Sequence, residues 1–329
     1  MRPFEYVRAS DPDTAVRAVA ANRQAKFLAG GTNLLDLMKE DVERPAALVD
    51  LTRLRLADIR ATIDGGVSIG AVATNATTAN HPLIRERYPL LTQAIVAGAS
   101  GQLRNMATNG GNLLQRTRCQ YFYDTAMPCN KREPGSGCGA REGINRIHAI
   151  LGWSESCVAT YPGDMANALS ALEAVVRVRG ANGRERTIPI DELHRLPGDT
   201  PQQETNLEHG ELIVAIDLPP SRLAGNSHYL KVRDRASYAF ALLAVAAALE
   251  MDGDRIRQAR VVLGSVAHKP WRSREAEAAL SGNPASEDAF RRAADAALRD
   301  ARPLTHNAYK VELAKRAVVR ALMRAGRLA

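Results

Sequence analysis

Aromatic residues are scarce in this sequence: they make up 5% of its 329 residues, and no aromatic cluster lies beside a block of basic residues. The net charge of +8 would suit a nucleic-acid partner, but the arginines are scattered among acidic residues, which argues against such a surface. Long apolar runs are also missing. The most apolar stretch, residues 240–249, is too short to span a bilayer, and the first residues have no apolar segment of the signal-peptide type. These absences predict a soluble globular protein of two or three domains without an export signal of its own.

Cysteine is rare and confined to one region. The sequence has 4 cysteines, Cys119, Cys129, Cys138 and Cys157, in a stretch rich in glycine, proline and charge. Their wide spacing, without a CxxC pair, argues against a zinc ribbon or a thioredoxin-type redox motif. Two disulfides are typical of small secreted domains that lack a core, whereas this chain is large enough to bury one. Four thiolates in one irregular segment favour an iron–sulfur cluster, and a zinc site, disulfides and inert cysteines remain as alternatives.

The first two thirds of the chain predict alternating helices and strands. Asp11-Pro12-Asp13 predicts the start of a helix that continues through residues 15–21. A first α/β unit is completed by a strand at 26–29, a helix at 34–40 and a strand at 46–51. A second unit contains a strand at 67–71, helical regions at 81–97 and 164–172, a hairpin of strands 174–179 and 186–190, and a strand at 211–218. In that hairpin, Asn182-Gly183 indicates a type I′ turn.

The C-terminal part predicts a separate α+β domain, because Pro219-Pro220 and Gly225-Asn226 mark a boundary before it. The alanines of residues 241–250 favour a helix by propensity. However, Asp252-Gly253 separates this run from residues 257–263, which favours strand, turn and strand, and we adopt that interpretation. Helices are predicted at 274–280, 287–298 and 309–324. The predicted units are residues 1–59, 60–223 and 224–329, and the second contains the cysteine segment, residues 117–157.

Two glycine pairs lie between polar residues. In KFLAGGTNLL, residues 26–35, a strand leads into Gly30-Gly31-Thr32-Asn33 and then into a helix. Without Cβ atoms, such a turn lets backbone N–H groups approach a phosphate, and the helix N-terminus adds the positive end of its dipole. The second pair, Gly110-Gly111, lies in ATNGGN, residues 107–112. Together the two turns could hold the two ends of a long diphosphate ligand, and ordinary tight turns are the alternative.

Prolines and glycines exclude regular structure from most of the cysteine segment. Structureless segments of this length inside a compact domain are usually functional or disordered, and a bound cluster would order this one. His148 lies in the same segment beside Ile147 and Ile150. We interpret it as a packed structural residue and leave it out of the ligand set.

These motifs together resemble the flavoprotein (medium) subunit of the molybdenum hydroxylases, the xanthine dehydrogenase and carbon monoxide dehydrogenase group. AGGTNLL is similar to the first FAD diphosphate loop of this family, and ATNGGN is similar to the second. Asp164-Met165-Ala166 resembles the Ser-Asp-Leu element that follows. Lys231 lies in a segment that resembles the start of the family's C-terminal domain, and residues 263–273 resemble its GGVAPTPWRA segment. The resemblance covers nearly the whole chain.

The cysteine segment is similar to an insertion in the FAD subunit of bacterial molybdenum-containing aldehyde oxidoreductases of the periplasmic type, which holds an additional [4Fe–4S] cluster. The resemblance therefore implies one [4Fe–4S] cluster, ligated by Cys119, Cys129, Cys138 and Cys157. The benzoyl-CoA-type reductases also carry a cluster in this subunit. Their cysteine spacing differs, which makes them a weaker match.

The resemblance implies an α+β protein with a PCMH-type FAD-binding fold. Two α/β subdomains, residues 1–59 and 60–223, would hold FAD between them, and a CO-dehydrogenase-flavoprotein-like α+β domain would follow at 224–329. The diphosphate and adenosine end would be wrapped by Lys26, Phe27, Leu28, Ala29, Gly30, Gly31, Thr32, Asn33 and Leu34. The other side would be held by Thr108, Gly110, Gly111 and Asn112. The ribityl or isoalloxazine parts would lie beside Asp164, Ile213 and Lys231.

The implied function is electron transfer inside a heterotrimer, with no catalytic acid, base or nucleophile on this chain. A large subunit with a molybdopterin cofactor would oxidise an aldehyde to a carboxylic acid. A small subunit with two [2Fe–2S] clusters would pass the electrons to FAD on this chain and on to an external acceptor. The complex would be exported to the periplasm already folded, with the cytoplasm as the alternative. A free-standing flavin oxidoreductase of the same fold is the rival, although neither glycine turn contains a histidine for a covalent flavin link. A zinc-stabilised binding protein is a third possibility.

Overall fold

Three β-sheets follow one another along the chain in the computed structural model, which describes residues 1–328. The first sheet has 3 strands, the second 5 and the third 4. Ala329, the last residue of the predicted C-terminal unit, lies outside the described residues. The predicted boundaries after residues 59 and 223 stay predictions.

The first sheet is parallel, with its strands in the order β1-β3-β2. Its elements are β1 (Glu5–Arg8), α1 (Pro12–Ala21), β2 (Ala25–Leu28), α2 (Leu34–Lys39) and β3 (Ala47–Asp50). Helix α1 begins where the sequence predicts, because the Asp11 carboxylate accepts a hydrogen bond of 2.8 Å from the Thr14 amide. The predicted helices and strands of this part of the chain are therefore confirmed, and β1 is a strand that the sequence analysis missed.

The second sheet is antiparallel, with its strands in the order β4-β5-β8-β6-β7. The strands are β4 (Ile59–Ala61), β5 (Val67–Gly70), β6 (Val175–Arg179), β7 (Glu185–Pro189) and β8 (Leu212–Leu218). The helices are α3 (Asn75–Asn80), α4 (Pro82–Arg87), α5 (Pro89–Ala97), α6 (Gly101–Met106), α7 (Asn109–Leu113), α8 (Gln120–Tyr123), α9 (Gly139–Glu142), α10 (Asp164–Ala171) and α11 (Ile190–Leu193). The predicted helical region 81–97 is two helices, because Pro82 and Pro89 each begin a new one.

The β6–β7 hairpin differs from its prediction. The prediction of a type I′ turn at Asn182-Gly183 is wrong. Such a turn requires a positive φ at both residues, and only Gly183 has one, at 74°. The loop is also longer than two residues: β6 ends at Arg179 and β7 begins at Glu185. The Gly183 amide donates to the Gly180 carbonyl at 3.0 Å, so the loop is built on a turn that starts at Gly180.

The third sheet is antiparallel, with its strands in the order β12-β11-β10-β9. Its elements are a 3-10 turn (Ala224–Asn226), β9 (Ser227–Val232), β10 (Leu243–Asp252), β11 (Arg255–Gly264), β12 (Trp271–Arg272), α12 (Arg274–Leu280), α13 (Glu287–Ala297) and α14 (Tyr309–Ala325). The predicted strand, turn and strand are confirmed, with Gly253 at φ 61° in the turn between β10 and β11. Tertiary pairing thus overrides the helix propensity of the alanine-rich run.

A buried lysine joins α14 to the cysteine segment. Lys310 is fully buried, and its ammonium donates to the carbonyls of Ser265, His148 and Ile147 at 2.6, 2.9 and 3.3 Å. An ammonium has three N–H donors, and here each has an acceptor. The C-terminal domain therefore fixes the backbone of the cysteine segment directly.

Within residues 1–328, none of the helices combines the length and the apolar character needed to cross a membrane.

Candidate functional site

The two glycine turns lie against each other. We call residues 30–33 the first turn and residues 108–112 the second turn. A Cβ atom added at Gly30 would lie 1.9 Å from the carbonyl oxygen of Met106, at the end of α6 just before the second turn. A backbone-to-backbone approach of this kind is open only to glycine. The Asn33 side-chain oxygen also accepts a hydrogen bond of 2.8 Å from the Arg116 amide, just after the second turn.

The first turn has free hydrogen-bond donors. Among residues 1–328, no carbonyl or side chain accepts a hydrogen bond from the amides of Gly30, Gly31, Thr32 or Asn33. Gly31 has a φ of 71°, which turns the backbone toward α2. The Asn33 side-chain nitrogen is buried and likewise has no partner within that part of the chain. Unpaired donors at the start of a helix form an anion-binding site, and they fit a diphosphate.

The second turn is built differently, because the amides of residues 109–112 already donate hydrogen bonds within the protein. The Asn109 amide donates to the Ala73 carbonyl at 3.0 Å, and the Gly110 amide donates to the Ala71 carbonyl at 2.8 Å. The Thr108 hydroxyl accepts from the Gly111 amide at 3.3 Å. The second turn therefore lies against the first turn with its amides at residues 109–112 already bonded, and it does not offer a second set of free amides.

Two buried asparagines hold the second turn. The side chain of Asn75 donates to Asn109 at 3.0 Å and accepts from Asn112 at 2.8 Å. Asn109 in turn donates to the Thr78 hydroxyl at 2.8 Å. The sequence analysis missed Asn75 altogether, because it lies outside both glycine motifs. An Asn directly after a capping Thr gives no signal of a long-range contact.

The residues that flank the first turn are partly accessible. Lys26 is exposed and forms an ion pair of 3.0 Å with Glu43. The others are half-buried: Phe27, Leu28, Ala29 and Leu34. In contrast, β3, which lies beside β2, is buried throughout. As an edge strand, β2 is therefore partly accessible to solvent, together with the first turn.

Asp164 and Lys231 come together as a buried ion pair. The Lys231 ammonium donates to the Asp164 carboxylate at 2.7 Å and to the Ala97 carbonyl at 3.2 Å. The Tyr229 hydroxyl donates to the other oxygen of Asp164 at 2.7 Å. Burial, together with the Asp164 charge, raises the pKa of Tyr229 well above its usual value, so this hydroxyl stays a donor.

Ile213 lies behind the second turn. Its side chain is 3% exposed, and a Cβ atom at Gly110 would lie 3.7 Å from it. The pairing of β6 with β8 shifts register at this point, where Arg177 pairs with Ala215 and Val178 pairs with Ile213. A bulge of this kind changes which side chains face the core, and a sequence pattern does not reveal it.

The structure gathers the four cysteines into one apolar cluster. Cys119, Cys129, Cys138 and Cys157 pack with aromatic and aliphatic side chains, and all four are free thiols. The disulfide alternative therefore does not describe this fold. Among residues 1–328, no three His, Cys, Asp or Glu side chains stand close enough together to hold a single metal ion.

Local backbone turns position the sulfurs. Cys129 and Cys138 pair across a short antiparallel bridge, and Gly137, with a φ of 99°, closes the loop between them. Cys119 precedes α8 and Cys138 precedes α9, so each stands at a helix start. Burial raises the pKa of the Cys119 thiol to about 12 and that of Cys157 to about 11. A thiolate at either position therefore needs positive charge close by.

His148 lies against the cysteine cluster. Its Nε2 atom is 3.1 Å from the sulfur of Cys119, and its side chain is 1% exposed. Burial lowers its pKa to about 4, so the ring is neutral and Nε2 can donate to a sulfur as the N–H tautomer. The sequence interpretation as a packed residue therefore misses a direct contact with one of the predicted ligands.

A partly buried charge network lies between the cysteine cluster and the glycine turns. The Glu204 carboxylate accepts from the Lys131 ammonium at 2.6 Å and from the Arg116 guanidinium at 2.7 Å. Lys131 also donates to His268 Nε2 at 2.6 Å and to the Pro201 carbonyl at 3.0 Å. Burial opposes the ionisation of Glu204, but Arg116 and Lys131 outweigh it and hold the pKa of Glu204 at about 2. We call these residues the Glu204 network.

Two models of protein families match the chain. The model described as the FAD binding domain in molybdopterin dehydrogenase matches residues 2–221, and the model described as the CO dehydrogenase flavoprotein C-terminal domain matches residues 228–325. The sequence is 50% identical over 326 residues to the aldehyde oxidoreductase FAD-binding subunit PaoB of Escherichia coli (strain K12), covering 99% of each chain. It is 25% identical to the xanthine dehydrogenase FAD-binding subunit of Escherichia coli O157:H7, covering 91% of this chain and 86% of that one.

A solved structure has the same fold. A chain of the carbon monoxide dehydrogenase from Hydrogenophaga pseudoflava, in a form that lacks the Mo-pyranopterin moiety of the molybdenum cofactor, matches with a TM-score of 0.77 and 29% identity, covering 99% of this chain and 98% of that one. The predicted fold class is thereby confirmed. Neither the two family models nor the names of these relatives mention an iron–sulfur cluster.

We predict that acid destabilises the folded chain between pH 6.5 and pH 4 through His194 and His268. Burial lowers the pKa of each from 6.5 to about 4. The unfolded chain binds protons in this window while the folded chain does not, so stability falls as the pH falls, by about 1.4 kcal/mol per pH unit for each histidine. Urea unfolding across the window measures this slope. His194→Gln should make the slope shallower, and an unchanged slope would contradict the assignment.

Proposed function

Because this chain belongs to the FAD-binding medium-subunit family of the molybdenum hydroxylases, we propose that it is the FAD- and [4Fe–4S]-binding subunit of a heterotrimeric molybdenum-containing aldehyde oxidoreductase. Membership makes it one subunit of an oxidoreductase complex. The observation that carries the aldehyde assignment is the 50% identity, over 99% of both chains, to an aldehyde oxidoreductase FAD-binding subunit. The proposed partners are a large subunit with the molybdenum cofactor and a small [2Fe–2S] subunit.

The first turn is the proposed diphosphate site. The amides of Gly30, Gly31, Thr32 and Asn33 are unpaired within residues 1–328, and the start of α2 adds its positive dipole end. The second turn would form the opposite wall through Thr108, Gly110, Gly111 and Asn112. Asp164, Ile213 and Lys231 remain proposed neighbours of the ribityl or isoalloxazine parts. When bound, FAD supplies the exchange between two-electron and one-electron transfer.

The four cysteines are the proposed ligands of a [4Fe–4S] cluster. Three observations on the chain itself support this: the thiols are free, they share one apolar cluster, and they come from one segment. An amide also donates to one of the sulfurs: that of Ala159 donates to Cys157 at 3.5 Å. Such hydrogen bonds to sulfur are one of the protein's controls over cluster potential.

Aldehyde chemistry would belong to the partner subunit. That this chain carries no catalytic acid or base stays a prediction. The compartment stays a proposal as well. Thiolates that bind a cluster should be assembled in a reducing compartment, which suits export of the folded complex.

We predict that Gly31→Val and Gly111→Val lose FAD but stay folded. At Gly31 the new Cβ would lie 2.9 Å from Leu35 Cδ1 and would occupy a φ of 71° that branched residues avoid. At Gly111 the new side chain would enter the space beside the turn, with only Thr108 Oγ1 close, at 3.0 Å. The measurement is the flavin-to-protein ratio after purification, with circular dichroism as the check on folding.

Gly225→Val is the matched control, because nothing lies within 4 Å of its added Cβ and its φ is not positive. It should keep full flavin content. Full flavin content in both turn variants would rule out the proposed diphosphate site.

We predict that replacing any one of the four cysteines with serine removes iron and acid-labile sulfide from protein prepared without oxygen. Each thiolate is a required ligand, and the loss of one opens the cluster to solvent. The matched control is Thr125→Ala, an exposed residue of the same segment, which should keep wild-type iron content. Stoichiometric zinc, or two disulfides found by mass spectrometry, would refute the cluster assignment.

We predict that the chain alone does not oxidise an aldehyde. Mixed anaerobically with aldehyde, the purified FAD-loaded chain should stay yellow. Addition of the molybdenum and [2Fe–2S] subunits should bleach the flavin within a few turnovers, because two electrons then leave the aldehyde through the partners. Bleaching by aldehyde without the partners would favour the free-standing flavoenzyme instead.

A further inference from the structure

We propose that Glu204 is the positioning residue that couples the cysteine site to the flavin site, so that occupancy of either site strengthens binding at the other. This inference rests on the proposed function, because it takes the two sites as those of an iron–sulfur cluster and of FAD. Glu204 belongs to none of the motifs that the sequence points to. It lies in the loop after α11, and its side chain is 23% exposed.

One oxygen of Glu204 binds the cysteine segment. Oε1 accepts from the Lys131 ammonium at 2.6 Å, and Lys131 follows Cys129 by two residues. The Lys131 side chain is 1% exposed, and its other partners, the Pro201 carbonyl and His268 Nε2, are neutral. Among residues 1–328, Glu204 is therefore the carboxylate that balances this buried charge.

The other oxygen binds the region of the glycine turns. Oε2 accepts from Arg116 Nε at 2.7 Å, and the backbone amide of Arg116 donates to Asn33 of the first turn at 2.8 Å. The Arg116 guanidinium also pairs with Glu43, and Glu43 pairs with Lys26 at 3.0 Å. Arg116 is thus connected to the first turn in two ways. Its amide contacts Asn33 directly, and the ion pairs through Glu43 link its guanidinium to Lys26 on β2, the strand before the turn.

A single carboxylate held between two cations makes the two sites dependent on each other. If the cysteine segment loosens when its site is empty, Lys131 withdraws and Glu204 no longer has a fixed position. Of its two carboxylate partners Arg116 then keeps only Glu43, so its amide holds Asn33, whose neighbouring amides are the proposed diphosphate donors, less firmly. The loss of one partner from a buried pair is costly, which keeps the network intact while both sites are filled. By linkage, FAD binding must favour the filled cysteine site to the same extent.

The test is the FAD dissociation constant, measured by flavin fluorescence on the full chain under anaerobic conditions. It is compared between the wild type with its cluster and a cluster-free variant, Cys138→Ser, whose thiol is the one that is not fully buried. We expect FAD to bind about tenfold more weakly without the cluster, within the usual range of coupling between sites. In the Glu204→Gln background, the same pair of measurements should give equal dissociation constants.

The control is Glu208→Gln, at an exposed glutamate of the same loop. It should keep the wild-type ratio of the two FAD dissociation constants, the one without the cluster divided by the one with it. A merely structural role for Glu204 would weaken FAD binding with and without the cluster alike and would leave the ratio unchanged. If Glu204→Gln does not fold, Arg116→Gln breaks the network from the other side and should abolish the ratio in the same way.

The outcomes separate the two proposals. A wild-type chain that binds no FAD or no iron refutes the proposed function. A wild-type chain that binds both, but whose FAD affinity does not change when the cluster is removed, overturns the coupling. So does a Glu204→Gln or Arg116→Gln chain that keeps the wild-type ratio.

Discussion

The contact of the first glycine turn with the backbone at Met106 is the constraint on which the site depends. No side chain fits there, since a Cβ atom at Gly30 would lie 1.9 Å from a carbonyl oxygen. The contact brings the end of the parallel sheet's strand β2 against the end of α6. The two turns then have different roles. The amides of the first turn are free, whereas in the second turn the amides of Gly110 and Asn109 donate to the carbonyls of Ala71 and Ala73. A flavin diphosphate between them would bind mainly to the first turn.

Buried ammonium groups hold the cysteine segment in place where helices and strands do not. Lys310 holds the backbone at Ile147 and His148 through carbonyl oxygens, and Lys131 holds the other part of the segment through Glu204. Each lysine connects the segment to a different part of the fold. Lys131 is paired with the Glu204 carboxylate, whereas the partners of Lys310 are neutral carbonyls, and burial lowers the pKa of Lys310 to about 7. The sulfurs are thereby fixed by the surrounding domains as well as by the short turns around them.

Local patterns in the sequence were enough to predict most elements and both glycine turns. The cap at Asp11 and the glycines near α2 act over a few residues, so their signals are visible in the chain. Long-range contacts were not visible. The Glu204 network joins residues from position 116 to position 268, and the contact of His148 with Cys119 spans 29 positions. The bulge opposite Ile213 and the turn at Gly180 depend on strand register, which adjacent strands set together.

Hydrogen exchange at the two turns tests the central claim most directly, because the claim assigns free amides to one turn and bonded amides to the other. Exchange should be measured residue by residue on the full chain, without FAD and with FAD at saturation. The account predicts that FAD slows exchange at Gly30, Gly31, Thr32 and Asn33, while Asn109 and Gly110 are already protected and change little. Protection that appears at Asn109 and Gly110, with none at residues 30–33, would contradict it.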